Sequence, residues 1–474
     1  MPDVSSPAAG SRPEPFVTQT APAVLDDLRA RLRATRWPDA PEDAGWSLGT
    51  DLAYLRELVA YWADGFDWPA QEAALGRLPR FRVPLGGLAI HFVHALAAGP
   101  GGSRERAPVL PLVLCHGWPD SFWRYAKVIP LLTDPGAHGA DPADAFDVVV
   151  PDMPGYGYSD RPAGPALDAI AVAGLWARLM STLGYQRFGA AGGDVGSHVS
   201  RYLALDRPER VVAVHRTDAG VPMFTGDRAD LAPEERAWID AVATWGAAEG
   251  AYAAMHRTKP QTAGFALTDS PAGLAAWIVE KLRAWSDCGG DIGRSFTKDE
   301  ILTNVMIYWL TGTIGSSMRM YHANAAIPPA QLARRVEVPS GFSLFPRRHL
   351  APAARVARAH GDRRARNRAR SRRAFCAVRG ASALRRGAAR VLPPIPANNR
   401  KLSAAAATIA FASPMARSSR LDWRRCVGSR ATRFRGTTRR ADDRFDLAAA
   451  ADAVTPLPPT QLPCRARRTA ALPG

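Results

Sequence analysis

From Leu110 onward the sequence repeats one unit: an apolar run of strand length, a loop rich in small residues, and an amphipathic helical stretch. This repetition narrows the fold more than any other feature of the chain, because each kind of run has its own period. PLVLC ends in the loop HGWPDSFW, FDVVVPDMPGYGYSD ends in Pro and Gly, and RFGAAGGDVG turns directly into the helical pattern SHVSRYLALD; a fourth run, VVAVH, follows at 211–215. Buried apolar strands alternating with helices imply an α/β protein with a mostly parallel sheet, covered by helices on both faces. From about 221 to 335 helical patterns follow one another without strands (PEERAWIDAVATWG, GLAAWIVEKLRAW, ILTNVMIYWLTGTI), as in a helical lid inserted into the core. VEVPSGFSLFP at 337–346 then restores a strand. Ahead of the core, residues from about 14 read as helical patterns (VLDDLRARLRAT, LGTDLAYLRELVAYWADGFDW) and one extended piece, LAIHFVHAL, a helical preamble to the sheet.

Charge divides the chain at a single place. The net charge of +17 would ordinarily point to nucleic acid. Residues 1–346, however, carry 31 basic against 38 acidic residues, and residues 347–474 carry 30 against 6. That last stretch is Arg-rich and contains neither Glu nor Tyr. The chain of 474 residues is long enough to bury a large core. It shows no signal-like or membrane-spanning apolar run, so a cytoplasmic location and no membrane partner are expected. Cys115, Cys288, Cys376, Cys426 and Cys464 lack the paired spacing of zinc or redox motifs; neither a metal nor a disulfide framework is expected.

Gly192-Gly193-Asp194-Val195-Gly196 joins a strand to a helix through a turn in which small residues let the backbone bend sharply. Such a turn presents a nucleophile in the α/β-hydrolase fold. An Asp there needs no base to activate it and forms an alkyl ester when it opens a strained ring or displaces a leaving group. By itself the pentapeptide equally describes an Asp that caps the following helix. Two further loops, His116-Gly117-Trp118-Pro119 and Asp152-Met153-Pro154-Gly155-Tyr156-Gly157, also follow apolar strands, and the first stands where this fold supplies an oxyanion N–H. Each alone could be an ordinary turn. Three in this order favour the nucleophile.

Over about 14–346 the chain resembles the microsomal-type epoxide hydrolase family. The matching text is WSLGTDLAYLRELVAYW with FDW, IHFVH, HGWPDSFW, GGDVGS, HRTKPQTAGFALTDSPAGLAAWIVEKL and LTNVMIYWLTGTIGSSMRMYHAN. The resemblance implies an N-terminal domain over 14–110, a hydrolase core over 111–220, a lid over 221–335 and a core strand at 336–346. It also implies two lid tyrosines that donate hydrogen bonds to the epoxide oxygen, here Tyr252 and Tyr321, which would stabilise and protonate the developing alkoxide. The backbone N–H groups of Trp118 and Val195 would form the oxyanion site. Val195 departs from the family, which commonly has Trp there, but a backbone contact survives that change. His116 and His198 are read as loop and helix residues.

Turnover also needs a His, oriented by a carboxylate, that directs water at the ester. The resemblance puts the carboxylate two residues after Phe345-Pro346 and the His about 26 residues later. The carboxylate position is Arg348, and His349 and His360 have no local sequence suited to the role. Back-translation offers a reason. Phe345-Pro346-Arg347-Arg348-His349 can be written TTC CCG CGC CGA CAC, and removal of one C gives Phe-Pro-Arg-Asp-Thr. In the same shifted frame Arg372 to Ala381 permits Gly-Ala-His-Phe-Ala-Pro-Phe-Glu-Glu-Pro, with its His starting in the codon of Ala374, 26 residues after Arg348. Residues 347–474 are therefore expected to be a frameshifted, disordered tail, with the last core strand and helix missing. The competing account is a genuine basic arm that binds nucleic acid.

The expectation is an epoxide hydrolase of the kind used in detoxification or aromatic hydrocarbon catabolism. It would need no cofactor and would act on a small hydrophobic epoxide; a homodimer is left open. A full catalytic cycle is not expected from a chain without the His and its acid. The alternatives are a haloalkane dehalogenase, disfavoured by Val195, and a non-catalytic pseudoenzyme with a basic tail.

Overall fold

The computed structural model describes residues 12–99, 109–217, 233–344 and 367–368, all within one compact unit, Met1–Leu421. Arg348, the codon position Ala374 and nearly all of the Arg-rich stretch lie outside the described residues.

The chain enters through β1 (Glu14–Pro15) and three helices, α1 (Pro22–Arg33), α2 (Leu52–Asp64) and α3 (Trp68–Gly76). In α2 the buried residues Leu55, Leu58, Val59 and Trp62 fall at helical spacing on one face, and Asp51 starts the helix by accepting from the Tyr54 N–H at 2.7 Å. An antiparallel hairpin follows, β2 (Arg80–Leu85) and β3 (Leu88–Ala95), and β3 pairs antiparallel with the core strand β5 (Phe146–Pro151). The sheet therefore does not begin at residue 110: the end of the N-terminal segment is already part of it. β2 was not foreseen, because RFRVPL breaks apolar alternation with arginines. Arg80 is nevertheless buried, its guanidinium lying over the rings of Phe16, Phe122 and Tyr158.

The core strands β4 (Leu110–Cys115), β5, β6 (Phe188–Gly192) and β7 (Val211–Arg216) pair in parallel, in the spatial order β5-β4-β6-β7. Every residue of β4, β5 and β6 is buried, as strands covered on both faces require. The helices α4 (Ile129–Thr133), α5 (Ala169–Thr182) and α6 (Val195–Asp206) lie between them in sequence. Among the described residues after β7 come six α-helices without a strand: α7 (Pro233–Glu249), α8 (Ala251–Thr258), α9 (Pro260–Asp269), α10 (Pro271–Trp285), α11 (Lys298–Thr311) and α12 (Ile314–Ala325). The short α13 (Pro329–Leu332) leads to β8 (Ser340–Leu344), which pairs parallel with β7, and β9 (Asn367–Arg368) pairs parallel with the end of β8.

The N-terminal helices pack on the lid. α1 and α2 touch α10, and α3 touches α11. Thr50 Oγ1 donates to the Ala276 carbonyl at 2.7 Å, and the Tyr61 hydroxyl donates to Asp299 at 2.7 Å. α11 is closed at both ends, by a capping box of Thr297 and Glu300 and by Gly312 with φ 60°. The N-terminal segment thus braces the helices that cover the site. No described helix is long and apolar enough to cross a membrane.

Candidate active site

Asp194 stands between β6 and α6 with φ 55° and ψ −131°. A non-glycine residue there stores of order 1–3 kcal/mol of strain, which persists only where the surroundings enforce it. They do so through backbone contact. A Cβ on Gly196 would overlap the carbonyls of Cys115 and His116, and one on Gly192 would overlap the backbone of Gly196. β4, β6 and α6 can therefore meet main chain to main chain, and the turn is held tight.

Both sequence readings of Asp194 describe part of the geometry. Its Oδ1 accepts from the Val195 N–H at 2.7 Å, the first N–H of the helix that Asp194 precedes. The same oxygen accepts from the Trp118 N–H at 3.0 Å, across from the loop after β4. Two backbone N–H groups thus converge from separate elements on one carboxylate oxygen, an arrangement of donors suited to holding an oxyanion. Neither Trp118 nor Val195 contributes its side chain to this contact.

Aromatic rings cover the site. The Trp118 indole stacks on Tyr252 of α8 with centroids 5.4 Å apart and meets Tyr321 of α12 edge-on at 6.2 Å. The two tyrosine rings lie 6.0 Å apart. Burial pushes the Tyr321 phenol well above its ordinary range; the charges of Asp194, Tyr252 and Tyr156 and a hydrogen bond with Tyr252 push the same way. Tyr321 therefore keeps its proton at neutral pH and is within electrostatic reach of Asp194. The structure brings all five residues singled out in the sequence, Asp194, Trp118, Val195, Tyr252 and Tyr321, to one place.

Lid and core loops are tied together where this matters. The Tyr156 hydroxyl donates to the Ser317 carbonyl at 2.9 Å, and Ser316 Oγ donates to the Gly155 carbonyl at 2.6 Å, fixing α12 on the loop after β5. Asn304 Nδ2 donates to the Pro119 carbonyl and the Tyr308 hydroxyl to the Asp120 carbonyl, each at 2.8 Å, fixing α11 on the oxyanion loop. Tyr321 and the Trp118 N–H are thus held by neighbouring anchors.

Sequence reasoning missed His256. It sits one helical turn after Tyr252, fully buried, with its ring 4.6 Å from Trp118 and 4.9 Å from Tyr321. Burial and the charge of Lys281 pull its pKa down to about 3, so the imidazole is neutral. The only signal was the i, i+4 spacing from Tyr252. Lys281 was missed as well; its ammonium lies 5.2 Å from the Tyr252 ring centroid and pairs with Glu280 and Glu249.

His116 and His91 are also fully buried, each held by fixed partners. His116 Nε2 accepts from the Met153 N–H at 3.0 Å, which leaves Nδ1 to face the Gly117 carbonyl. His91 Nδ1 lies 2.8 Å from Asp152, which also accepts from the N–H groups of Phe122 and Tyr158. Burial holds His91 low; burial opposes the Asp152 charge, but His91, His116 and the Tyr158 N–H outweigh it and hold Asp152 low. The pair is a neutral imidazole on a carboxylate. His198 lies within α6. Among the described residues no group of His, Cys, Asp and Glu could hold a metal ion.

The family "Epoxide hydrolase N terminus" matches residues 13–125, and the family "alpha/beta hydrolase fold" matches residues 111–247. A Stigmatella aurantiaca protein provisionally named epoxide hydrolase is 41% identical over 336 residues, covering 70% of this chain and 74% of that protein. Epoxide hydrolase 1 of Sus scrofa is 34% identical over 374 residues, covering 71% of this chain and 80% of that protein. Among solved structures, juvenile hormone epoxide hydrolase of Bombyx mori superposes with a TM-score of 0.66 at 27% identity, covering 74% of this chain and 87% of that one.

Proposed function

This chain belongs to the epoxide hydrolase family of α/β-hydrolases, and from that premise we propose that Asp194 opens an epoxide by attack through its Oδ2. The observation that carries the assignment is the seating of Oδ1 on the Trp118 and Val195 N–H groups, which leaves the second oxygen as the one not engaged by this pair. A bond forms from Oδ2 to a ring carbon while the ring C–O bond breaks, and its electrons pass to the epoxide oxygen. Tyr252 and Tyr321 donate hydrogen bonds to that oxygen, and one of them gives it a proton. Asp194 is then an alkyl ester whose carbonyl oxygen, Oδ1, already lies in the oxyanion site.

In the second half, water adds to the ester carbon, negative charge develops on Oδ1, and collapse releases the vicinal diol and the carboxylate. Epoxide and water are consumed and one diol is made. The residues that would activate this water, at the positions of Arg348 and Ala374, lie outside the described residues. The reading frame supports the proposal that this chain lacks them and stops at the ester. The rings of Trp118, Tyr252, Trp285 and Tyr321 suit an aromatic or alkyl epoxide, in keeping with detoxification or catabolism of such compounds.

Incubation of the chain with styrene oxide, followed by intact and peptide mass spectrometry, tests both parts. One adduct on the peptide holding Asp194, absent from Asp194→Asn, supports the nucleophile. Persistence of the adduct supports the stalled cycle, whereas rapid multiple turnover to diol refutes it. Sequencing across the codons for 345–349 tests the frameshift directly; an uninterrupted frame in the transcript sinks it.

A further inference from the structure

The oxyanion loop carries two buried charges that the mechanism above does not use. Asp120 and Arg124 are 6% and 5% exposed, and Arg124 Nη1 pairs with Asp120 Oδ2 across the short turn Phe122–Tyr125. A buried ion pair is often no more stabilising than well-packed apolar residues of similar volume, so a second role for it is worth seeking in its surroundings. The second amino group supplies one: Arg124 Nη2 lies 3.0 Å from where a Cβ on Gly193 would stand, against the residue immediately before the nucleophile. Burial opposes the Arg124 charge, yet Asp120, Tyr125 and Asp194 outweigh it and hold the guanidinium firmly protonated.

The groups that face Asp194 come from every surrounding element. Tyr156 after β5 and Tyr321 of α12 interact with it electrostatically and hold their protons. Tyr252 lies beside Tyr321. Thr217 abuts Gly193, and Arg216 before it lies over the Phe342 ring. His116 is turned to the Met153 N–H. Arg124, paired with Asp120, sets a permanent charge against the residue before Asp194, as the buried Arg216 does at the end of β7 beside Gly192.

We propose that the Asp120–Arg124 pair is a positioning device for the nucleophile, in which the Arg124 charge keeps Asp194 ionised in its enclosed site and Asp120 limits that effect. This rests on Asp194 as the nucleophile. A protonated carboxyl cannot attack, so the pair sets the acid limb of the pH profile for ester formation. Two opposite responses follow. Arg124→Met moves the acid limb upward by about one pH unit, making alkylation about tenfold slower at pH values below it. Asp120→Asn moves the limb downward, because the guanidinium then acts unbalanced. Arg124→Lys, which keeps the charge, stays near the parent.

The experiment follows adduct formation by the full chain with styrene oxide, by intact mass, from pH 8 downward, with circular dichroism at each pH to confirm folding. Opposite shifts of the limb support the proposal. Slowing at all pH values with an unmoved limb, the signature of a merely structural pair, overturns it. Should Arg124→Met not fold, the downward shift of Asp120→Asn decides alone, and an unmoved limb there also overturns it. If the parent chain forms no adduct at any pH, or Asp194→Asn forms the same adduct, the nucleophile assignment fails and this inference falls with it. An adduct with identical limbs in all proteins overturns the inference only.

Discussion

Gly117→Ala tests the geometry of the site through one methyl group. Gly117 precedes Trp118, whose N–H meets Asp194, and a Cβ there would stand 2.4 Å from Asp194 Cβ, 2.6 Å from its Oδ1 and 2.9 Å from its Cγ. Ordinary contact begins at 3.4 Å, so the loop or the Asp194 side chain must move by about 1.0 Å, the difference between 3.4 and 2.4 Å. The Trp118 N–H to Oδ1 bond, now 3.0 Å, would lengthen by a similar amount and be lost as a working hydrogen bond. Misplacement of a reacting group by about 1 Å costs roughly a hundredfold in rate, and overpacking a tight site costs about 1–3 kcal/mol of stability. The expected result is alkylation of Asp194 by styrene oxide about a hundredfold slower than in the parent, with a lowered melting temperature. Gly174→Ala is the control, since a Cβ there meets nothing within 4 Å and the residue lies inside α5; it should leave alkylation unchanged and slightly raise stability. Alkylation of Gly117→Ala within a factor of about three of the parent would refute the claim that the two N–H groups and the carboxylate are held in register.

Three further outcomes are expected. Tyr252→Phe and Tyr321→Phe should each slow ester formation about a hundredfold, with no change in the pH of its acid limb, because each removes one of two donors to the epoxide oxygen; single-turnover mass spectrometry reads this. The melting temperature should fall steadily as the pH drops below about 6.5: the buried histidines His215 and His256, held down to about 3, take up protons only in the unfolded chain. Asp152, also held low, adds its loss at still lower pH, and a flat melting temperature between pH 7 and 4 would contradict this. Thr297→Ala, which breaks the capping box of α11, should cost about 1 kcal/mol in denaturant unfolding.

What could be read from the sequence follows from how each element is buried. β4 to β7 were legible because each is a short apolar run closed on both faces, and α10 and α11 because their apolar residues recur at helical spacing on long segments. β2 was not, because its Arg80 is buried by ring stacking rather than by apolar character, and no local pattern announces a partner that lies at Phe16 or Phe122. The docking of α1 and α2 on the lid was equally hidden, since an amphipathic face states that it is covered and not by what. Asp120 and Arg124 look in the sequence like a surface pair four residues apart; only the packing of the loop against the nucleophile turn buries them.

At the site the same distinction separates residue type from atom. The turn at Asp194 and the tyrosines Tyr252 and Tyr321 could be named because motif and family text carry residue identity. That one carboxylate oxygen receives both backbone donors could not, because it depends on how far a side chain reaches into a site shaped by other elements. The consequence is mechanistic. With Oδ1 seated on the N–H groups of Trp118 and Val195 before any substrate arrives, the roles proposed for the two oxygens are already distinguished in the resting protein. The oxygen that attacks and the oxygen that will later bear negative charge need not be chosen or moved during the reaction, which is the condition under which fixed dipoles stabilise a transition state without reorganisation. The strained turn at Asp194 and the close approach of β4, β6 and α6 are the structural means of holding that division.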